Sequence, residues 1–359
     1  MPKKRRIDSI SRLRSGPSKP RPVLTPQQIK EHLDTIVVGQ EVAKRKVSVA
    51  VANHYARLAE SPSRIVDPSL ANVTVEKSNV LLLGPTGCGK TYLVKAAAEQ
   101  LQVPFVSADA TALTEAGYVG QDVETILKNL VRAADDDIQE AQRGIVYIDE
   151  IDKLRKAFEN PSTTRDVGGE GVQQALLKMI EGSGCLLPEG QRLHPHESTT
   201  PLDSTNVLFI CGGAFVGLEK IVAERLPDRK QEELLHRVMP HDLMRYGMIP
   251  ELVGRLPIVA TLNPLSLEDL EAILTKPKNA LVKQYRKLCH HQGFDIRFTD
   301  CGVKALAGVA MKMETGARAL RSVIEEVLLG IQFSGKVGYR YTVDVDVVMG
   351  RKHPRTEKI

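Results

Sequence analysis

Residues 84–91 read Gly-Pro-Thr-Gly-Cys-Gly-Lys-Thr, and further along the chain residues 145–152 read Ile-Val-Tyr-Ile-Asp-Glu-Ile-Asp. The first stretch fits the spacing G-x-x-x-x-G-K-[ST]. Glycines at 84, 87 and 89 let backbone N–H groups close around phosphate oxygens, and a helix that starts there adds partial positive charge. Lys90 supplies a point charge for the β- and γ-phosphates, and the Thr91 hydroxyl suits Mg²⁺. Pro85, Thr86, Cys88 and Tyr92 complete the run expected to touch the nucleotide. The second stretch ends in paired carboxylates. Asp149 suits the Mg²⁺ shell, partly through water, and Glu150 suits polarising a water for attack on the γ-phosphorus. A glycine-rich turn with a stray lysine, or acids that merely end a strand, would each lack the other half. Together they point to hydrolysis of a nucleoside triphosphate.

Such residues need rigid elements to hold them. Short apolar runs with the character of buried parallel strands recur at 79–84, 104–109, 144–149 and 206–212. Helical patterns lie between them. Residues 122–142 place Val123, Ile126, Leu127, Leu130 and Val131 on one stripe, and residues 90–101 read as another helix. Strands alternating with helices imply an α/β fold, a parallel sheet covered by helices on both faces. After residue 262 the texture changes to helix patterns closed by a strand-like segment at 339–348, which implies a smaller, mainly helical α+β domain. We therefore expect a basic tail at 1–24, a large domain at 25–262 and a small domain at 263–359.

Length agrees with that division, since 359 residues exceed what one hydrophobic core usually organises. Aromatic residues make up only 4% of the chain, so the cores must be aliphatic. The formal charge is +5, but residues 1–22 hold eight Lys/Arg against one Asp, +7, which leaves the remaining chain at +5 − 7 = −2. Basicity belongs to the tail, and the pI does not indicate a nucleic-acid-binding fold. The tail itself has the charge to bind nucleic acid or an acidic surface, and equally the composition of a solvated terminus. No secretory signal and no apolar run of about 20 residues occurs, so a soluble, cytoplasmic protein is expected. Five scattered cysteines without zinc spacing read as free thiols, and no zinc is expected.

Four apolar residues before an Asp-Glu pair, following a phosphate loop, resemble the AAA+ ATPases. Six further segments resemble the Clp/HSP100 group of that superfamily, and within it the ClpX family of unfoldases: residues 32–55, 116–124, 164–182, 209–215, 249–257 and 315–322. The resemblance implies ATP and Mg²⁺ as ligands and a small domain that acts as a lid. It implies that Val37, Val38 and Gln40 cover the base and that Arg318 contacts the nucleotide from the small domain. Arg255 resembles the arginine finger that one subunit points into the site of its neighbour. A homo-hexamer with an axial pore follows, with Tyr118 and Val119 in a first substrate loop, Arg165 and Asp166 in a second, and Arg192 and His194 at the pore entrance. Physically, an aromatic ring between flexible glycines, Gly117 and Gly120, suits gripping polypeptide without reading its sequence.

Three departures from that family bear on function. No cysteine precedes Cys88, so the family's N-terminal zinc domain is not expected. The stretch 217–243 is short, charged and lacks Ile/Leu-Gly-Phe, the apolar plug that docks on the ClpP peptidase, so ClpP is not the expected partner. Leu193 stands where the family tends to have a basic residue, which weakens the expectation for tagged substrates of the usual kind. The expected function is an ATP-dependent unfoldase or remodelling chaperone working on unfolded or tagged polypeptides without ClpP. The alternatives are an ATPase scaffold recruited by its basic tail to nucleic acid or membrane, and an unfoldase subunit of a Clp protease with a different docking contact.

Overall fold

A computed structural model describes residues 23–59, 67–70, 73–114, 121–155, 169–182, 185–188 and 199–359. Its centre is a five-stranded sheet whose strands are Val80–Leu83, Phe105–Asp109, Ile145–Asp149, Leu208–Gly213 and Ile258–Thr261. Every pairing is parallel. In space the order is Phe105–Asp109, Ile145–Asp149, Leu208–Gly213, Val80–Leu83, Ile258–Thr261. Four of these strands coincide with the apolar runs; the fifth, Ile258–Thr261, was not among them.

The side chains of each strand alternate between two apolar layers. Leu81, Leu83, Val146, Ile148, Phe209 and Cys211 pack on one face, among residues of the helices Glu124–Ala133 and Glu170–Glu181 and of the segment 243–256. Val80, Leu82, Ile145, Tyr147, Leu208 and Ile210 pack on the other, beneath the helices Pro26–Ile36, Glu41–Leu58 and Lys90–Leu101. Burial on both faces is why these strands read as continuous apolar runs rather than as alternating ones.

The single helical pattern at 122–142 is broken in the structure. The helix Glu124–Ala133 stops, Asp135 and Asp136 adopt φ of 53° and 63°, and Asp137 caps a new turn, Ile138–Ala141, by accepting from the N–H groups of Gln139 and Glu140. Short acidic side chains tolerate left-handed backbone and cap helices well, so three in succession end one helix and start another. The stripe itself holds: Val123, Ile126, Leu127 and Leu130 are buried, with Val131 packed against them.

A third apolar cluster runs from Leu270 to Val343, within the helices Leu267–Thr275, Leu281–His291, Asp300–Lys312 and Ala317–Ser334 and the strands Asp295–Phe298 and Tyr339–Val343, to which an exposed third strand, Arg355–Lys358, is added at the edge. The stretch 217–243 folds as helices: Leu218–Arg225, Gln231–Leu234 and the start of Pro240–Tyr246. Buried Asp242 pins it, pairing with Arg225 at 2.7 Å and accepting from the N–H of Met239. No described helix is long and apolar enough to cross a membrane.

Candidate active site

The phosphate-loop strand Val80–Leu83 lies inside the sheet, and the loop 84–89 leaves its C-terminal end to enter the helix Lys90–Leu101. The loop is glycine-built because it is crowded on one side and open on the other. A Cβ on Gly84 would lie 2.7 Å from the carbonyl of Leu262, and one on Gly87 would collide with the carbonyl of Thr315. At Gly89, with φ of 100°, an added Cβ would meet nothing within 4 Å. The open side faces away from the protein, and the first N–H groups of the helix, which have no intrahelical partners, belong to it. A polyphosphate fits there. The buried Lys90 ammonium donates to the carbonyls of Gly84 (2.6 Å) and Pro85 (3.0 Å), so the charge is held inside the loop. Burial raises the pKa of Cys88, whose thiol packs in the core.

Thr91, in the first turn of that helix, donates from Oγ1 to Oδ2 of Asp149 at 3.0 Å, which joins the two sequence motifs directly. Oδ1 of Asp149 accepts from the Tyr147 hydroxyl and from the N–H of Glu150, each at 3.0 Å. Burial, with Asp149 alongside, pushes the Tyr147 phenol far above its ordinary range, so it remains a donor. The hydroxyl and carboxylate are hard oxygen donors of the kind Mg²⁺ accepts together with waters and phosphate. Glu150 has φ of 57°, a left-handed conformation that an ordinary residue adopts only at a cost. It starts the 3₁₀ turn Ile151–Leu154 beside the loop. Buried Asp152, within that turn, accepts from the N–H groups of Ala214 and Phe215 at 3.2 Å each and ties it to the end of the strand Leu208–Gly213.

The third cluster reaches this loop at one point. The N–H of Ala317 donates to the carbonyl of Gly87 at 3.1 Å, so Arg318, exposed and unpaired among the described residues, follows one residue after a direct contact with the phosphate loop. From the other side, the buried Gln40 amide accepts from the N–H of Asn263, donates to its carbonyl (both 2.8 Å), and reaches the carbonyl of Cys88 at 3.4 Å.

Two family profiles match the chain. That of the AAA domain (Cdc48 subfamily) covers residues 75–259, and that of the C-terminal, D2-small domain, of ClpB protein covers residues 265–330. The chain is 52% identical over 325 residues to the ATP-dependent Clp protease ATP-binding subunit ClpX of Treponema denticola, a match spanning 86% of this chain and 77% of that one. The chain belongs to the ClpX family of AAA+ ATPases. The subunit of the same name from Porphyromonas gingivalis is 45% identical over 348 residues, 93% of this chain and 82% of its own. As a member of the ClpX family, the protein binds and hydrolyses ATP.

The remaining predicted residues of this ClpX-family chain lie as follows. Val37 is buried in the core, Val38 is half-buried, and the Gln40 side chain is taken up by backbone groups. Tyr92 is exposed on the first turn of the phosphate-loop helix. Arg255 is not near the phosphate loop. It caps the helix Pro250–Gly254, its carbonyl accepts from Asn79 at 3.0 Å, and Asn79 precedes the phosphate-loop strand. Four strand residues, about 13 Å, separate that end of the strand from the loop. The pore residues Tyr118, Val119, Arg165, Asp166, Arg192 and His194, and the basic tail 1–22, lie outside the described residues.

Sequence reasoning passed over Tyr147, Asp152 and Gly316. Each carried a signal: Tyr147 is the one hydroxyl in an apolar strand, Asp152 repeats the acid two residues beyond Glu150, and Gly316 precedes the small-domain arginine by two.

Proposed function

We propose that six copies form a ring that couples ATP hydrolysis in the cytoplasm to the unfolding and threading of polypeptide, and that it does so without ClpP. Lys90 and the loop N–H groups hold the phosphates. Thr91 and Asp149 hold Mg²⁺, which when bound neutralises charge on the β- and γ-phosphates. Glu150 orients a water and takes its proton on the carboxylate, Arg318 contacts the nucleotide from the lid, and Arg255 completes the site of the adjacent copy. Val37 and Val38 flank the base, with Gln40 as the brace of that segment.

The observation that carries this reading is the separation of Arg255 from its own phosphate loop by the length of a strand. A cation set at the far end of the sheet can stabilise a transferring phosphoryl group only on another copy. The absence of ClpP rests on residues 217–243, whose compact helices, pinned by Asp242, offer no Ile/Leu-Gly-Phe plug.

Tyr118→Ala tests the threading. Its ATP turnover should persist while unfolding of a folded, tagged fluorescent protein drops at least tenfold, in keeping with a lost aromatic contact. Unfolding at the rate of the unsubstituted protein would refute the reading. Incubation with ClpP and the same substrate should give no degradation; peptide release would restore the protease-subunit alternative.

A further inference from the structure

The helix Glu170–Glu181 touches Arg255 and the segment that carries Glu150. At its last residue, Oε1 of Glu181 accepts from Nε of Arg255 at 2.9 Å and lies 2.8 Å from Nη2. At its first turn, buried Gln173 donates from Nε2 to the carbonyls of Leu154 (2.7 Å) and Gly247 (3.3 Å) and accepts on Oε1 from the N–H of Ile249 at 2.9 Å. Leu154 ends the 3₁₀ turn that starts on Glu150, and Ile249 caps the short helix that leads to Arg255. Gly182 fixes where this helix ends: it has φ of 100°, and any Cβ there would run into Thr205.

We propose that the helix Glu170–Glu181 positions Arg255, with Glu181 as the residue that orients its guanidinium toward a neighbouring copy. The proposal rests on the reading of Arg255 as acting across the subunit boundary. Two features favour orientation over simple surface pairing. First, the main chain of Arg255 is fixed independently, by Asn79, which also accepts from the N–H of Phe209 and so joins Arg255 to two strands of the sheet. With the backbone held, Glu181 decides where the side chain points. Second, both contacts use a single carboxylate oxygen. A guanidinium has five N–H donors, so Nε and one N–H of Nη2 are engaged, and the rest remain for an anion. The pair is half-exposed, and such pairs are weak, so it can orient the arginine without holding it away from a phosphate. Because Gln173 links the same helix to the turn bearing Glu150, a shift at one copy's hydrolytic residue moves the arginine offered to the next.

The test uses the full chain. Glu181→Ala should fold normally, keep its KM for ATP within about twofold and lose about tenfold in kcat, the scale of a mispositioned catalytic group. Glu181→Gln, which keeps an acceptor oxygen, should recover most of that loss. Mixing then separates orientation from any local defect. Glu150→Gln chains cannot turn over but carry an intact Arg255 and Glu181, so adding them should raise the rate per Glu181→Ala chain. Arg255→Ala chains, treated identically, are the control. Rescue of Arg255→Ala without rescue of Glu181→Ala, or Glu181→Ala turnover equal to that of the unsubstituted protein, overturns the proposal and leaves the role of Arg255 standing. If Arg255→Ala turns over normally by itself, the reading of Arg255 falls and the proposal falls with it.

Discussion

Gly316→Ala is the sharpest test of how the third cluster meets the phosphate loop. Gly316 has φ of 59° and ψ of −140°, a region that only glycine occupies without strain. An alanine Cβ there would lie 2.8 Å from the carbonyl oxygen of Gly87, a backbone atom that cannot rotate away. The backbone strain costs about 1–3 kcal/mol. If the chain relieves it by drawing back, the bond from the Ala317 N–H to that same carbonyl is lost, at about 0.5–1.5 kcal/mol. Either route costs roughly 1–3 kcal/mol, set against the one contact that joins the third cluster to the phosphate loop. Gly330 provides the comparison. It lies within the helix Ala317–Ser334, and an added Cβ meets nothing within 4 Å, so Gly330→Ala should stabilise by about 0.5–1 kcal/mol. Urea denaturation followed by circular dichroism measures both, and titration with a fluorescent ATP analogue measures affinity. Gly316→Ala should lower the midpoint and weaken binding by at least about tenfold, equivalent to 1.4 kcal/mol of the strain reaching the loop. Identical behaviour of the two variants in both assays would refute the contact as the link between the cluster and the loop.

Three more outcomes follow from the same geometry. Glu150→Gln should retain ATP binding and lose about 10²–10⁴ in turnover, measured by phosphate release; undiminished turnover removes Glu150 from the reaction. Gln40→Ala strips both Asn263 backbone groups of their partner and should cost about 2–3 kcal/mol, with looser ATP binding by calorimetry, whereas Gln40→Glu keeps the acceptor and should lose less. His54 is buried with Nε2 at 3.1 Å from the carbonyl of Asn206, and burial with Arg57 and Lys77 nearby pushes its pKa down to about 3. The unfolded chain takes a proton below the ordinary histidine value of about 6.5 and the folded chain does not, so stability is full above that value and falls as pH drops toward 3. At pH 5 the loss is about 2 kcal/mol, and His54→Gln should flatten the slope of urea midpoint against pH between 5 and 7.

The catalytic motifs were legible because their chemistry is local. Glycines at 84, 87 and 89, a lysine and a hydroxyl must follow one another to surround phosphate, and a buried parallel strand betrays itself by apolar residues on both faces. The strand Ile258–Thr261 escaped because only five apolar or small residues stand between Pro257 and Asn263-Pro264, and the stretch before it was read for its arginine. The helix at 122–142 was drawn too long because its stripe was weighed and the backbone preference of three consecutive aspartates was not. Gln40 shows a different limit. Its place near the nucleotide was expected from a resemblance, but its work is to bond the backbone of Asn263, 223 residues away, and nothing local in the sequence announces such a partner. Glu181 is similar: only the fold brings the end of one helix to an arginine 74 residues on.

The two ends of one short strand account for much of what the ring reading requires. The loop that holds phosphate leaves the C-terminal end of Val80–Leu83, and Asn79, immediately before that strand, holds the carbonyl of Arg255. The strand is flanked on both sides by parallel neighbours and its four residues are fully buried, so it resists bending. The sheet therefore keeps the phosphate loop and the carbonyl of Arg255 at a fixed separation. On the proposed ring reading, the phosphates and the Arg255 of one copy belong to opposite ends of one stiff element. At Gly87 a single bond from Ala317 connects the loop to the third cluster, with Gly87 and Gly316 both at positive φ. The sheet thus holds the loop and the carbonyl of Arg255 a strand's length apart, while the third cluster is tied to that loop through one crowded backbone contact.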